Sequence, residues 1–499
     1  MAKHRKNRKS AVSKLQSQKD EITHALQRGK QQLQAGHLLE AKNIYRHILE
    51  TDPNNPIALS MMGLVACKDG EQKIALEFMT EAIEIKPEIA TSHENLGVLL
   101  LEMGEINDAI ISFQNALAIQ PNFASAHFNL GSAFQKLGQQ KNAIDSFLKS
   151  LKLTPEHSQA KIYAQLGYAL NSLGEKKEAL KHFKKNLELN RLKNFIDPND
   201  ISIRFISKPK INHDIEQFKY LNSLGNNFKR FGKLAQIYEN LREEIDWSSG
   251  DGFLIPLTEK QRLIINDSYG RPIHINEAPE LPGSTLNTNL NIEKITESYF
   301  KNSPGLSTID NLLTPSALSA LRQFLLESTI WFHVKKNGYV GTYMQDGMAC
   351  PLLLQIAEDI RQTFSPIIKG RPLKQFWAYK YGSTEKGINI HADDAYVNLN
   401  FWVSLDSANL KPKHGGLVVY MVEAPDDWSH NVYYTGDNTD HIYEYLNQHE
   451  ENRQIVPHRE NRGVIFNSDL FHETDIIDFK SGYENHRISV TMLYGNRGD

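Results

Sequence analysis

The sequence predicts a multidomain chain, an α-helical superhelix (solenoid) followed by an all-β jelly-roll domain with flanking helices. Three observations predict it. The first is self-similarity at a fixed period, seen in Gly63, Gly97 and Gly131, in Ala75, Ala109 and Ala143, and in Pro87, Pro121 and Pro155. The second is a series of short strand-like runs near the C-terminus, separated by turn signals such as His414-Gly415-Gly416 and Asn467-Ser468-Asp469. The third is a pair of amphipathic helix patterns, Ser316 to Ser328 and Leu352 to Phe364, just before those runs.

Length and composition narrow the class further. A chain of 499 residues is too long for one typical domain and suggests two or three. A formal charge of −3 gives no case for a nucleic-acid partner. Cys67 and Cys350 are the only cysteines, which excludes a disulfide framework and makes a reducing compartment, the cytoplasm, the expected location. The longest apolar stretches, such as Ile57 to Cys67, are shorter than the ~20 residues a membrane-spanning helix needs. No membrane span is therefore expected. Residues 1–21 open with a basic cluster from Lys3 to Lys9 and no apolar segment follows, so they read as a basic, solvated tail rather than a secretory signal. Contact with an acidic partner or RNA is the alternative for this tail.

Each repeat position has a physical reason. Gly97 allows two helices to approach closely, Gly104 sits at the turn between them, Ala109 packs where a larger side chain would not fit, Phe113 fills the gap and Pro121 ends the second helix. The next unit repeats this with Gly131, Gly138, Ala143, Phe147 and Pro155, and an earlier one with Gly29, Gly36, Ala41, Tyr45 and Pro53. A fifth unit, Gly167, Gly174, Ala179 and Phe183, is slightly displaced from the register. The pattern resembles the tetratricopeptide repeat (TPR), a helix-turn-helix unit, and five repeats are expected over residues 22–190. Such arrays stack into a superhelix whose concave face often binds a protein or peptide. Asn95 and Asn129 hold one repeat position on the first helix, and similar asparagines line the groove of O-linked N-acetylglucosamine transferases, where the amide pairs with a peptide backbone. They are the candidate partner-binding residues. Met61 and Gln165 occupy that position in neighbouring units, so a plain polar helix surface stands as the alternative.

After the array, residues 191–250 keep a helical pattern and lose the repeat. Asp214 to Gly232 and Leu234 to Ile245 read as a helix pair capping the solenoid. Residues 251–300 carry Gly270, Pro272, Pro279, Pro282 and Gly283 with little periodicity and read as a linker. The catalytic candidate is residues 301–499. Its strand-like runs are Gln375 to Tyr381, Ile388 to Asp393, Tyr396 to Leu405, Gly416 to Val422, Gly463 to Asn467 and Arg487 to Tyr494.

Residues i and i+2 of a strand project to one face, so His391 and Asp393 can together clamp a metal. His472, far downstream of Asp393, would complete a two-His-one-carboxylate triad, a set that suits Fe(II) and leaves positions free. Arg487 and Ser489 share a strand face shortly after His472, where a guanidinium and a hydroxyl can anchor a carboxylate. His449-Glu450-Glu451 and His458-Arg459-Glu460 also fit His-x-acid. The first lies in a charged helix-like stretch, and the second stands too close to His472 to leave room for the intervening barrel strands.

At these residues the chain resembles the Fe(II)/2-oxoglutarate-dependent oxygenases (prolyl-hydroxylase-like), whose pattern is His-x-Asp, a distal His, then Arg-x-Ser. The resemblance implies a double-stranded β-helix and a dioxygenase, by default a hydroxylase, with cofactors Fe(II) and 2-oxoglutarate. It implies that His391, Asp393 and His472 are the metal-binding, catalytic residues and that Arg487, helped by Ser489, binds the far carboxylate of 2-oxoglutarate. Tyr379 and Tyr381, alternating just before the motif, are secondary candidates for the cosubstrate site, and Asn398 and Asn400 alternate just after it, with barrel packing as the alternative. The insertion between Val422 and Ile455 is aromatic, with Trp428, Tyr433, Tyr434, Tyr443 and Tyr445, and reads as a lid or substrate wall, with outer packing on the barrel as the alternative. The competing function is a TPR adaptor for protein-protein interaction with a non-catalytic barrel.

Overall fold

The computed structural model describes residues 2–192, 204–248, 253–383, 385–428, 430–434, 438–449 and 452–498. Side chains are described from residue 17 onward, without those of His430 and Asn431, so the side chains of the basic cluster and the acids Glu450 and Glu451 lie outside the described residues. The chain divides into two compact units, Met1–Ala169 and Leu170–Asp499. No helix among the described residues is long and apolar enough to cross a membrane.

The first unit is a run of antiparallel helices: α1 (Ala2–Gln34), α2 (Leu38–Thr51), α3 (Pro56–Lys68), α4 (Gln72–Ile85), α5 (Ala90–Glu102), α6 (Ile106–Ile119), α7 (Ala124–Lys136), α8 (Gln140–Leu153) and α9 (Ala160–Ser172), which crosses into the second unit. The basic segment read as a tail is continuous with α1. No proline interrupts residues 2–34, and Ala, Lys, Arg, Gln and Leu all favour helix.

The repeat glycines do what their spacing implied. A Cβ on Gly97 would stand 2.6 Å from the Phe113 ring, and one on Gly131 would stand 2.7 Å from Phe147. The helices touch because those side chains are missing. Gly104 has φ +86°, a turn conformation that disfavours a side chain. A recurring bond that the sequence did not reveal ties two of the loops down: His93 Nε2 lies 2.8 Å from the Pro87 carbonyl and His127 Nε2 lies 2.9 Å from that of Pro121. Phe113 is fully buried, so Phe113→Ala is expected to cost about 3–5 kcal/mol. Thermal unfolding followed by far-UV circular dichroism checks it, an unchanged midpoint being the contrary result.

The second helix of the fifth repeat, α10 (Lys176–Leu187), belongs to the second unit, where Asn186 Nδ2 donates to the Gln345 carbonyl at 2.8 Å. The helix pair read as a solenoid cap, Lys208–Ser223 and Lys229–Glu244, belongs there too. Its rings Phe218, Phe231 and Tyr238 form a core with Ile255 and Ile265, and Gln217 donates to the carbonyls of Leu326 and Ser328. The linker is likewise ordered by contacts. Thr285 is buried and bonded through N–H and hydroxyl to Asp359, and residues Ile292–Lys301 form a helix that lack of periodicity upstream had hidden.

A mostly antiparallel β region follows. Its strands are β3 (Leu306–Ile309), β4 (His333–Val334), β5 (Val340–Tyr343), β6 (Leu373–Tyr381), β7 (Val397–Trp402), β8 (Leu417–Glu423), β9 (Arg453–Val456), β10 (Gly463–Asn467), β11 (Leu470–Thr474) and β12 (Arg487–Tyr494), after a small pair, β1 (Phe205–Ile206) and β2 (Ile255–Pro256). Among the described residues, seven strands form one sheet in the order β3-β10-β7-β12-β6-β5-β4, and three form another in the order β11-β8-β9. Trp402, Val419, Val464, Phe466 and Leu470 build one apolar cluster of this region. The flanking helices fall at Pro315–Glu327 and Pro351–Thr363, each opened by a proline, which fits a first helical turn because it lacks an N–H that would otherwise need a partner.

One strand expectation is corrected. Ile388 to Asp393 is not a strand; His391 makes an isolated bridge with His472, while the N–H groups of Ala392 and Asp393 go to the carbonyls of Tyr433 and Ser468. His391 and Asp393 donate on the same side, and a ladder starting at His472 would bring Asp393 to residue 470; its N–H goes to Ser468 instead, so the pairing stops at a single bridge.

Candidate metal centre

The bridge between His391 and His472 brings two residues distant in the chain side by side, their ring centroids 4.4 Å apart. His391 Nε2 lies 3.7 Å from Asp393 Oδ1, and His472 Nε2 lies 3.4 Å from Asp393 Oδ2. One ligand atom from each residue lies within 4.8 Å of the others, and among the described residues this is the one buried group of this kind.

The donor chemistry fits a metal ion. Each histidine places Nδ1 against a backbone carbonyl, Asn389 at 2.9 Å for His391 and Leu470 at 3.0 Å for His472. A carbonyl can only accept, so both Nδ1 atoms carry the proton and both Nε2 lone pairs face Asp393. Burial, reinforced by the neighbouring His472, holds His391 down to about 4, and it is neutral near pH 7. Burial pushes the Asp393 carboxyl upward, but His472, His391 and Asn398 outweigh it and leave the group below its usual range. Its Oδ1 is buried and has no hydrogen-bond partner. An ionised oxygen left that way is costly unless a cation completes it.

The carboxylate is held from behind. Asn398 Nδ2 donates to Asp393 Oδ2, Asn400 Nδ2 donates to Asn398 Oδ1 at 2.9 Å, and Thr491 Oγ1 donates to Asn400 Oδ1 at 2.6 Å. The sequence singled out the two asparagines without this role, because the pairing depends on β7 lying beside β12. Asn398→Ala is expected to lower metal affinity about 10–100-fold by freeing the carboxylate. Titration with Fe(II) under anaerobic conditions reads that change; wild-type affinity in the variant would show that the amide is only packing.

The same cavity, about 490 Å³, is lined by the triad and by Tyr379, Tyr381, Arg487 and Ser489. Strand register explains why. Arg487 pairs across β12 and β6 with Tyr381, and Ser489 with Tyr379, so two i, i+2 pairs share one face. Arg487 is 1% exposed; its Nε donates to the Gly415 carbonyl at 2.6 Å and its Nη2 to that of Gly416 at 3.1 Å. The remaining Nη1 has no partner. Gly416 is obligatory here, since a Cβ would lie 1.8 Å from the Val456 carbonyl oxygen. The Tyr381 hydroxyl neighbours Arg487, Ser489 and Thr474 without a well-formed hydrogen bond to any, and burial raises the phenol while those neighbours oppose the shift.

The competing motifs are not drawn together in this way. His458 is buried against Trp402 and Phe479, while Arg459 pairs with Asp310 and Glu460 with Arg322. His449 is exposed after the helix Thr439–Leu446. In the aromatic insertion, Tyr433, Ile442 and Leu446 pack behind the triad on Ile390, Ala392 and Phe471, and Tyr443 bonds Glu473. Of the five named aromatics Tyr434 lines the cavity, as a substrate wall would, while Trp428, Tyr433 and Tyr445 pack in the cluster around Phe471. Sequence reading missed Lys335, Tyr339, Tyr343 and Trp377, which line the cavity's other wall.

In the array, Asn95 Nδ2 donates to Ser60 Oγ at 2.8 Å and Asn129 Nδ2 to Glu94 Oε1 at 3.2 Å. Both asparagines are half-buried and reach back to the preceding repeat, at the same separation along the chain. Their amide donors thus already join repeat to repeat.

The helix pairs and their fixed register define the N-terminal region as a TPR array. Residues 99–138 match the TPR repeat family, and residues 124–157 and 160–191 match the Tetratricopeptide repeat family. Among solved structures, the chain is similar to MamA at 27% identity, covering 32% of this chain and 93% of that one, with a TM-score of 0.29. MamA 41-end from Desulfovibrio magneticus RS-1 is 23% identical over 35% of this chain and 98% of its own, with a TM-score of 0.31. TTC0263, a TPR protein of Thermus thermophilus, is 23% identical over 36% and 93%, also with a TM-score of 0.31. No curated protein sequence matches the chain. TPR repeats mark the protein as one that engages protein partners.

Proposed function

We propose that this protein is an Fe(II)- and 2-oxoglutarate-dependent dioxygenase, a hydroxylase, whose β region is a double-stranded β-helix of jelly-roll type and whose TPR repeats recruit a protein substrate or partner. One observation carries the reading. Two histidine Nε2 lone pairs and an unpartnered carboxylate oxygen converge on a cavity that also holds a buried, partly unpartnered guanidinium.

His391, Asp393 and His472 would hold the Fe(II), which when bound supplies the oxygen-activating redox chemistry that couples conversion of 2-oxoglutarate to succinate with C–H oxidation. Arg487 would hold the far carboxylate of the oxo acid through Nη1, with Ser489 and Tyr381 offering hydroxyl donors. Fixing Arg487 by two backbone carbonyls aims that free N–H before the ligand arrives. Asn398, Asn400 and Thr491 keep Asp393 turned toward the two imidazoles. Tyr339, Tyr343, Tyr379 and Tyr381 give the same cavity an aromatic wall.

Equilibrium dialysis of the full chain with Fe(II) under anaerobic conditions, with and without 2-oxoglutarate, tests the reading. One ferrous ion and one oxo acid per chain are expected. Absence of both would favour the adaptor reading, which accounts for the repeats and leaves the ligand set unexplained.

A further inference from the structure

Beyond the triad and Arg487 the cavity has a second wall, made of Lys335, Tyr339, Tyr343, Trp377 and Tyr434. Lys335 is half-buried; its Nζ donates to the Tyr343 hydroxyl at 2.8 Å and lies 5.5 and 5.6 Å from the ring centroids of Tyr343 and Tyr379. Among the described residues no carboxylate lies within ion-pair distance of it. Tyr343 pairs across β5 and β6 with Trp377, whose indole is 5% exposed and whose Nε1–H has no hydrogen-bond partner. One tyrosine is therefore flanked by an ammonium without a counter-charge and a buried N–H without an acceptor.

Among the described residues, the cavity lining supplies no carboxylate to either. Apart from Asp393, the one described acid on it is Glu473, and its two oxygens accept from Tyr420 at 2.8 Å and Tyr443 at 2.9 Å. Glu473 follows His472 on β11, so its side chain leaves the opposite face of the strand. A buried donor without a partner costs about 1–3 kcal/mol, and an acceptor that arrives with the ligand removes that cost. Lys336 adds positive charge at the rim.

We infer that the oxidised substrate is an acidic polypeptide segment, one of whose aspartate or glutamate carboxylates is received by Lys335 and Trp377 on the lining of the cavity that holds the triad. This rests on the dioxygenase reading and adds its substrate class. A carboxylate offers two oxygens, one for the ammonium and one for the indole N–H, and the surrounding rings strengthen both bonds by excluding water. A polypeptide is the fitting carrier because TPR repeats engage protein partners.

The test uses the full chain with Fe(II), 2-oxoglutarate and three matched peptide sets: acidic, the same sequences with Asn and Gln in place of Asp and Glu, and the same sequences with Lys and Arg. Succinate formation above the peptide-free rate, oxygen incorporation into peptide, and anisotropy of labelled peptide are read. Acidic peptides are expected to bind and stimulate about tenfold better than their amide counterparts. Lys335→Glu is expected to invert the preference toward the basic set, and Trp377→Phe to narrow the acidic advantage. Equal behaviour of the three sets overturns the inference, as does a Lys335→Glu variant that raises the KM for 2-oxoglutarate and leaves peptide preference unchanged. If the wild-type protein forms no succinate at all, the dioxygenase reading has failed, and the anisotropy arm, which needs no turnover, still decides whether Lys335 selects acidic peptides.

Discussion

Asp393→Ala is expected to abolish Fe(II) binding and succinate formation together. Outer partners of a metal ligand are worth about 10–100-fold in affinity, so loss of the ligand itself should cost at least on the order of 100-fold. The fold should survive. Asp393 is fully enclosed, and its removal leaves the Asn398 amide without an acceptor, a cost of about 1–3 kcal/mol against a domain with a large apolar core. Circular dichroism and thermal unfolding of the same preparation separate lost metal from lost fold. Asp393→Asn keeps the shape and removes the charge, and it should fail in the same way if charge is what the metal requires.

The second large effect is expected at Arg487. Its Nη1 is the one guanidinium nitrogen without a partner, so Arg487→Met removes a charge-assisted contact to the incoming carboxylate worth about 1.5–3 kcal/mol, which is roughly a 10–150-fold rise in the KM for 2-oxoglutarate. The catalytic rate at saturating cosubstrate should change far less, because the triad is untouched. Arg487→Lys keeps the charge but cannot hold both Gly415 and Gly416 and still extend a third donor, so it should behave more like Met than like Arg. Steady-state kinetics with varied 2-oxoglutarate measure the split. An unchanged KM in both variants would assign the arginine to the Gly415-Gly416 turn alone.

What is legible in the sequence follows from how local the governing physics is. The TPR register can be read because Gly97 must yield its Cβ to Phe113, and Gly131 to Phe147, at the offset that also joins Gly29 to Tyr45 and Gly63 to Met79. Arg487, Ser489, Tyr379 and Tyr381 can be placed on one face because alternation along a strand is local, although the cross-strand pairing that joins them is not. The stretch before Asp393 reads as a strand because its apolar and polar residues alternate, yet its N–H groups are shared among His472, Tyr433 and Ser468. Asn398 as a carboxylate clamp and Trp377 as an unpartnered donor are invisible for a similar reason. Both roles depend on which strand lies next to which. The helix pair after the array keeps the glycine spacing of the repeats, and nothing local says that Gln217 bonds the distant carbonyls of Leu326 and Ser328.

The most direct measurement of the central claim is succinate formed from 2-oxoglutarate by the aerobic, Fe(II)-loaded 499-residue chain, compared with Asp393→Ala and with Arg487→Met at low and high cosubstrate. Metal-dependent succinate formation is predicted for the wild type, none for the Asp393 variant, and recovery of the Arg487 variant as 2-oxoglutarate is raised. No succinate from wild-type protein that has bound iron, or equal succinate from wild type and the Asp393 variant, would contradict it.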